Sequence, residues 1–565
     1  MKNKLSGLLP SCLKRFTQSG AILTAASLYI TPVSAQDSEP FQGIGNFGPF
    51  AIHSGGTLED TMFEEFGMVI DHRDIITAYQ IFGDIPISPD RARNGIRALF
   101  TKYDEIILFS ARNGVDRQSI ATLQSKFTSD EYDMDYILPT GEELEMWKRF
   151  VSAMVERYDG DDDYGCLVNI AGNTTDCYFP GDGLYPDEEL QDAITNYPVK
   201  HWQIEQEWLH TIYVYGDPTA RPPYALADGP TLDAHFDEMK AVIKAADPEA
   251  FIVIGAMNPS KPHMLEEGYV RAGFVENGDD CTYRVLTPEG LETAPQADKD
   301  YRAAYEEKFE YLMWNTVPKA DIVDFHFRVR EDPYLLQEAV QFLRDKMPPE
   351  TDVEIWGLEI SGPYYYFPLL GLQAPGDTDP SYCEDGTNLA PYHMGIQADY
   401  LLKLHAIGFA SGLKSFFYAA GNPEVNFEAN YQRNALIDNR ALPNPLTYVD
   451  GWSEVVFNQD GRKPAYFTYA MMIDLIRGFE AATEIGKGVY RFDFPVKDPI
   501  YLIWDEIDGV AREWVQGLPS SKTIGVVAPI RDAGVTSTAP VELLPADVEE
   551  RITEVPLFIL GADVE

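Results

Sequence analysis

Two glutamates, each at the end of a short apolar run, have the best setting for chemistry in this sequence. Glu207 ends the stretch 202–207 (WQIEQE), and Glu359 ends the stretch 353–359 (VEIWGLE). Both stretches are rich in β-formers and aromatics, which is typical of strands. Two carboxyl groups that face one cleft can divide acid and base work between them if their environments differ.

Alternation of side chains along a strand predicts that Gln203, Glu205 and Glu207 share one face. Burying carboxylates is costly unless their face lines a site. An edge strand with solvated acids is the alternative, and the crowded aromatics together with the matching acid at 359 favour a site. On this pattern Trp202 and Trp356 face away from the acids and pack against helices. Glu205 is expected to hydrogen-bond inside the fold without a chemical role.

These two stretches resemble the acid/base and nucleophile strands of retaining glycoside hydrolases of clan A, and are most similar to family 39, the β-xylosidase and α-L-iduronidase group. In that clan the fourth barrel strand reads Trp-x-Ile-x-Asn-Glu, which residues 202–207 match except that Gln206 stands in place of Asn. The resemblance implies a (β/α)8 TIM barrel and cleavage of O-glycosidic bonds by double displacement. It assigns Glu207 as the acid/base and Glu359 as the nucleophile, with an oligo- or polysaccharide as the substrate.

The resemblance also suggests substrate-binding residues. Gln206 would bind the sugar 2-hydroxyl, and His326 lies near the position of a substrate-side histidine in related enzymes. Arg328 stands where a tyrosine is usual; it would favour an ionised Glu359, or alternatively pair with Glu331 or Asp332. Trp208 and Tyr364 are candidates for stacking on sugar rings, against the alternative of core or loop anchors. Arg73 and Arg112 each end a predicted early strand, and the two compete for the role of the arginine on the second strand of the clan.

Strands that alternate with helices over residues 41–485 favour the same barrel. The predicted strands are 48–52, 66–70, 104–109, the stretch around 202–207, 251–256, 321–327, 353–359 and 413–418. Residues 140–143 (TGEE) predict a capping box at the start of a helix. From 486 to 565, short alternating runs without helices between them predict a small C-terminal β-sandwich-like domain. Its Trp504 and Trp514 are expected in the core in preference to a sugar site.

Composition excludes some classes of partner. The chain has 44 basic and 90 acidic residues and a net charge of -46, which repels nucleic acid and anionic lipid. Residues 1–35 resemble a signal peptide, with early lysines, an apolar run and a small-residue cleavage site. Its apolar run is too short to span a bilayer as a permanent helix, and no other stretch approaches that length. The sequence therefore predicts export to the periplasm or the medium without stable membrane insertion.

The sequence predicts neither a metal site nor a bound cofactor. Cys166 and Cys177 bracket one short loop and are the first choice for a disulfide; free thiols are the alternative. The chain has no C-x-x-C pair, H-E-x-x-H, P-loop or dinucleotide motif. The acidic run 159–163 (DGDDD) could bind calcium, but a solvated loop is favoured because the spaced ligands of a calcium loop are missing.

The sequence as a whole predicts an exported retaining glycosidase. The alternative is a barrel that binds glycans without cleaving them, with Gln206 and Arg328 as marks of lost activity. Intact glutamates at 207 and 359 favour the enzyme.

Overall fold

The structure is a computed structural model that describes part of the chain. At some described positions, including Arg73 and Arg328, it describes the backbone alone. The predicted signal peptide lies outside the described residues, so export stays a prediction. The described residues are 41–42, 44, 48–53, 73–77, 100–101, 103–105, 107–108, 111–112, 120–124, 138–161, 164, 166–168, 175–177, 185–205, 208, 227–257, 270–271, 285–286, 296–328, 332–361, 390–419, 462–505, 509–532 and 535–562.

Eight parallel strands form the central sheet. Their order is β1-β8-β7-β6-β5-β4-β3-β2, so strands that are consecutive in the sequence lie side by side and the first strand pairs with the last. Among the described residues, no hydrogen-bonded pair joins β1 to β2. The strands are β1 (Phe50–His53), β2 (Arg73–Thr77), β3 (Ile120–Gln124), β4 (His201–Ile204), β5 (Phe251–Ile254), β6 (Ile322–Arg328), β7 (Glu354–Ser361) and β8 (Phe416–Ala419).

Helices follow the strands along the chain, as the sequence predicts. Trp202 of β4 is fully buried in the large core cluster that also contains side chains of these helices, which confirms its predicted packing. In the described part of the chain, no helix has the length and apolarity that crossing a membrane requires. The helices are α1 (Glu142–Tyr158), α2 (Glu188–Asn196), α3 (Gly229–Ala246), α4 (Gln296–Asn315), α5 (Leu335–Lys346), α6 (Ala390–Ala410) and α7 (Pro464–Ile476).

The helix predicted after residue 140 is α1, and its apolar face is buried. Trp147, Val151 and Met154 have no exposed surface. The predicted capping box is wrong, because Gly141 precedes the helix with φ 57° and no side chain caps the first turn.

The sheet is strongly curved, because side chains of strands that are not neighbours meet on one of its faces. His201 of β4 and Trp356 of β7 have ring centroids 5.3 Å apart, although β5 and β6 lie between their strands. Trp356 belongs to a buried cluster with residues of β5, β6 and β8. Side chains therefore fill the inside of the curved sheet, as in a packed barrel interior.

Ile44, in the segment before β1, lies against the amino ends of β4 and β7. The backbone N–H of Ile44 donates to Oε2 of Glu354 at the start of β7 (2.8 Å), and Nε2 of His201 at the start of β4 lies 2.9 Å from the carbonyl oxygen of Ile44. Burial lowers the pKa of His201 to about 4, so this ring is neutral at pH 7 and donates to the carbonyl. These contacts occupy the amino ends of β4 and β7, and active sites of (β/α)8 barrels lie at the opposite, carboxyl ends of the strands.

Strand assignment from sequence is correct for the later strands and wrong for the third. The predicted strands four to eight correspond to β4–β8, and the first to β1. Within the predicted third strand, 104–109, the described residues 104–105 and 107–108 are helical, and the third strand is β3. The predicted second strand, 66–70, lies outside the described residues, and β2 follows it.

The helical residues between 100 and 112 pack on α1. Phe100, Tyr103 and Ile107 recur at helical spacing and are buried. Asp104 forms an ion pair with Arg157 of α1 (3.0 Å) and accepts a hydrogen bond from the hydroxyl of Tyr158 (2.9 Å). The contacts of Asp104 and the burial of these three side chains stabilise a helix here, although the apolar run by itself is also compatible with a strand.

The C-terminal region forms one antiparallel sheet, in the order β9-β10-β11-β14-β12-β13. It begins at Ala481, slightly before the predicted boundary at 486, and the described strands form a single sheet where a sandwich was expected. The elements are β9 (Ala481–Gly486), β10 (Val489–Asp493), β11 (Ile500–Ile503), α8 (Val510–Gln516), β12 (Ile524–Val527), β13 (Val541–Leu543), α9 (Pro545–Glu549) and β14 (Leu557–Leu560).

Both faces of this sheet are buried, which explains why no second sheet is needed. Tyr490 and Leu502 belong to the large core cluster shared with the central sheet and its helices. Tyr501 and Ile503 point the other way, into a separate cluster with α8 and α9. Trp504 is buried in the first cluster, and Trp514 packs against the second, in agreement with the predicted core role.

Candidate active site

Three side chains from neighbouring strands meet near the carboxyl ends of β6 and β7. Oε2 of Glu359 lies 3.3 Å from Nδ1 of His326, and Nε2 of the same ring lies 3.3 Å from Oδ2 of Asp324. Glu359 and His326 are each 5% exposed, and Asp324 has no exposed surface. One imidazole ring therefore lies between two buried carboxyl groups.

Asp324 is held by donors from two other strands. Nε2 of Gln203 in β4 donates to its Oδ2 (2.7 Å), and the backbone N–H of Leu358 in β7 donates to its Oδ1 (3.1 Å). These bonds compensate the burial of a carboxyl group that would otherwise be costly. Because β5 separates β4 from β6, the bond from Gln203 crosses the inside of the curved sheet.

A β-bulge in β7 turns Glu359 towards His326. Asp324 of β6 pairs with Trp356 of β7, and His326 of β6 pairs with Glu359 of β7. Between these two pairs, β6 advances by two residues and β7 by three. The extra residue reverses the alternation, so that Trp356 and Glu359 both face the inside. The prediction that Trp356 packs against helices is wrong for this reason.

Gly357 makes room for the bulge. A Cβ at this position would lie 2.1 Å from Cδ1 of Ile360, whose side chain is fully buried. A glycine within a strand often marks such a close approach. The sequence thus contained a signal for the irregularity that positions Glu359.

Backbone alternation also fails at the end of β4. Glu205 has a left-handed backbone conformation (φ 58°), and its Oε1 lies 2.9 Å from Nε2 of His235 in α3. Gln203, in contrast, binds Asp324 inside the sheet. The prediction that Gln203 and Glu205 share a face is therefore wrong. Both members of the Glu205–His235 pair are buried.

Trp208 is a core residue, which does not agree with its predicted role as a sugar platform. Its ring is 1% exposed, and its Nε1 donates to the carbonyl oxygen of Ile204 (2.8 Å). The ring packs edge-on against Phe236 of α3, with centroids 6.0 Å apart. A face occupied in this way is not available to a ligand.

The two early arginines do not have the predicted positions. Arg73 is the first residue of β2, at the amino end of the strand where the carboxyl end was expected. Arg112 lies in a helical stretch, and its side chain is 60% exposed and paired with Glu189 (2.8 Å). Among the described residues, neither arginine ends a strand.

The side chains of four other predicted site residues are not among those that the structure describes. Gln206, Glu207 and Tyr364 lie outside the described residues, and of Arg328 only the backbone at the end of β6 is described. His326 and Glu359 are thus the predicted residues that the structure brings together. Asp324 was missed, although its spacing of two from His326 on a strand indicates a shared face.

The arrangement of side chains that a metal site requires is absent from the described residues. In the described part of the chain, no group of three or more His, Cys, Asp or Glu residues is arranged to hold a metal ion. Of the acidic run 159–163, Asp162 and Asp163 lie outside that part, while Asp159 accepts a hydrogen bond from the backbone N–H of Asp161 (3.1 Å).

No family model matches the chain, and no curated protein matches it. Among solved structures, similarity is found to BuGH86 in complex with neoagarooctaose, with 9% identity, a TM-score of 0.44, and coverage of 91% of this chain and 75% of that chain. A glucosidase from Croceicoccus marinus has 11% identity and a TM-score of 0.39, covering 94% and 98%. A xylanase (Xyn10A) from Cellvibrio japonicus has 12% identity and a TM-score of 0.37, covering 75% and 96%.

Proposed function

We propose that this protein is a retaining glycoside hydrolase of clan A, most like family 39, in which Glu359 is the nucleophile and Glu207 the acid/base. The sheet closes between β1 and β2 into a (β/α)8 barrel. The substrate is an oligo- or polysaccharide that reaches the carboxyl ends of the strands. The protein is exported by the segment 1–35, and the C-terminal sheet packs against the barrel.

One observation carries the proposal: a carboxyl group at the carboxyl end of β7 is turned inward by a bulge and held against an imidazole. A nucleophilic carboxylate must be fixed in direction, because its oxygen has to approach the anomeric carbon in line with the leaving group. The contact between Glu359 and His326 supports such a fixed direction. The bonds from Gln203 and Leu358 to Asp324 support the imidazole from behind.

The residues divide the reaction into two displacements. In the first, the carboxyl group of Glu207 gives its proton to the glycosidic oxygen while an oxygen of Glu359 bonds to the anomeric carbon, and the aglycone leaves as an alcohol. In the second, Glu207 takes a proton from water, whose oxygen displaces Glu359 from the sugar. This mechanism requires about 5–5.5 Å between the two carboxyl groups.

The imidazole of His326 has a part in both steps. When a sugar is attached to Glu359, the carboxylate loses its charge, and the charge returns when the intermediate breaks down. A protonated ring nitrogen can donate to Glu359, while the other ring nitrogen faces Asp324. Such a ring stabilises the carboxylate as a leaving group in the second step, while Asp324 keeps the ring in place. Gln206, Arg328 and Tyr364 are proposed to bind the sugar.

Glycoside turnover with azide rescue tests this proposal. Wild-type protein is expected to release the chromophore from at least one aryl glycoside in a panel, whereas Glu359→Ala loses that activity. Azide then restores it, and the product is a glycosyl azide with inverted anomeric configuration, because azide enters from the side of the missing carboxylate. Glu350→Ala, at an exposed glutamate before β7, is the matched control and keeps wild-type activity. Oligosaccharide binding by a wild-type protein that cleaves no glycoside contradicts the proposal.

A further inference from the structure

We infer that the buried Glu205–His235 pair is a positioning pair that fixes how the chain leaves β4, and thereby where the acid/base carboxyl group is presented. This inference rests on the proposed function, since it concerns the same site. It assigns a role to Glu205, for which the sequence predicted no chemical role, and to its partner His235 in α3.

The backbone conformation at Glu205 is the first support. Among the described residues, Glu205 is the non-glycine residue with a positive φ. Asparagine and glycine tolerate this conformation best, and a long side chain there is uncommon. Unfavourable conformations persist at functional sites where the surroundings determine them. A glutamate in this conformation therefore indicates that its side chain is needed.

The side-chain contact shows what holds that conformation. Oε1 of Glu205 lies 2.9 Å from Nε2 of His235, and both residues are buried. His235 lies within α3, between buried Leu232 and Phe236, so its ring is attached to a packed helix. The backbone N–H of Glu205 still donates to the carbonyl oxygen of Leu123 in β3 (2.8 Å). Glu205 is thus fixed to the sheet by its backbone and to α3 by its carboxyl group.

A second fixed point follows three residues later. Nε1 of Trp208 donates back to the carbonyl oxygen of Ile204 (2.8 Å). Gly255, just after β5, permits this arrangement: a Cβ there would lie 2.3 Å from the carbonyl oxygen of Glu205 and 2.5 Å from Cδ1 of Trp208. Residues 206 and 207 are the two residues between these fixed points. These are the residues to which the proposal assigns sugar binding and proton transfer, so a shift of either fixed point moves an end of the connection that carries them.

The consequence is specific to proton transfer. A misplaced acid/base residue slows cleavage only in proportion to the need of the leaving group for a proton. An activated leaving group, such as dinitrophenolate, departs with little protonation, while an alkoxide or sugar oxygen requires it. Well-placed general acids contribute about 10²- to 10⁴-fold. Loss of the positioning pair should therefore affect poor leaving groups selectively, which a loss of overall stability would not do.

The test is the dependence of kcat/KM on the leaving group, since kcat/KM reports the first displacement alone. Glu205→Gln keeps the length of the side chain and removes its charge. His235→Gln removes the partner in α3. Because His235 has an ordinary helical backbone, this variant tests the pair even if Glu205→Gln fails to fold. Each is expected to lose about 10- to 100-fold in kcat/KM for alkyl or sugar leaving groups, and less than about threefold for dinitrophenyl glycosides.

His405→Gln is the matched control. His405 is another buried histidine of a helix beside the sheet, and its Nδ1 lies 2.7 Å from the carbonyl oxygen of Leu401 in the same helix. It should lower the melting temperature without changing the dependence on the leaving group. Equal losses for good and poor leaving groups in both positioning variants, or no loss, would overturn the inference while wild type and Glu359→Ala still behave as proposed. A wild-type protein without glycoside turnover would overturn the proposed function and, with it, this inference.

Discussion

Gly255→Ala is predicted to damage both stability and activity through one methyl group. The added Cβ would lie 2.3 Å from the backbone oxygen of Glu205, whereas ordinary contact begins at 3.4 Å. The two atoms must therefore separate by about 1 Å. Glu205 and Trp208, the neighbours that would have to move, are each 1% exposed. Overpacking of this kind costs about 1–3 kcal/mol in the free energy of unfolding, and a displacement of about 1 Å beside the reacting groups costs about 10²-fold in rate.

Urea denaturation and steady-state kinetics on an aryl glycoside measure the two effects. Gly525→Ala is the control, because a Cβ there would lie 3.3 Å from Cβ of Leu560 in the C-terminal sheet, far less crowded than at Gly255. It should leave kcat/KM unchanged. Wild-type stability together with wild-type kcat/KM in Gly255→Ala would refute the close packing around the end of β4.

Three further predictions concern separate parts of the chain. The short strands Cys166–Val168 and Thr175–Cys177 pair antiparallel, with Cys166 directly opposite Cys177, a separation that suits a disulfide; alkylation before and after reduction should show two extra thiols, and reduction should lower the free energy of unfolding by roughly 2–3 kcal/mol. Burial raises the pKa of Asp399 to about 7 in spite of Arg531 at 3.1 Å. The folded state then keeps this proton longer than the unfolded state, so the free energy of unfolding should fall between about pH 4 and pH 7, by up to roughly 4 kcal/mol, and urea titrations of Asp399→Asn should lack that fall. His326→Asn should lower kcat/KM about 10²-fold by removing the donor beside Glu359, and unchanged kinetics would contradict its role.

The later strands could be predicted from sequence because each lies in a short run rich in β-branched and aromatic residues. Residues 251–254 (FIVI) are one such run, and they form β5. The run 104–109 has similar composition, but its described residues 104–105 and 107–108 are helical. Short apolar runs do not distinguish a strand from a buried helix. Phe100 and Tyr103, which lie seven and four residues before Ile107 of the run, carried the helical signal outside the run itself.

The site was predictable where it depends on strand position and unpredictable where it depends on irregular backbone. His326 and Glu359 follow from strand ends that were placed correctly. Alternation applied residue by residue gave the wrong face for Trp356 and Glu205, because a bulge and a left-handed residue each break the period of two. Gly357 hinted at the first irregularity. Nothing in the local sequence indicates the second, which depends on His235 in the following helix.

The most direct test of the central claim is to trap the glycosyl-enzyme intermediate. The protein is incubated with 2-deoxy-2-fluoro glycosides whose sugars match the active aryl glycosides, digested, and mapped by mass spectrometry. The account predicts one added glycosyl mass on the peptide that carries Glu359, together with loss of activity. A label on a different carboxylate, or turnover of the parent glycoside with inversion at the anomeric carbon, would contradict it.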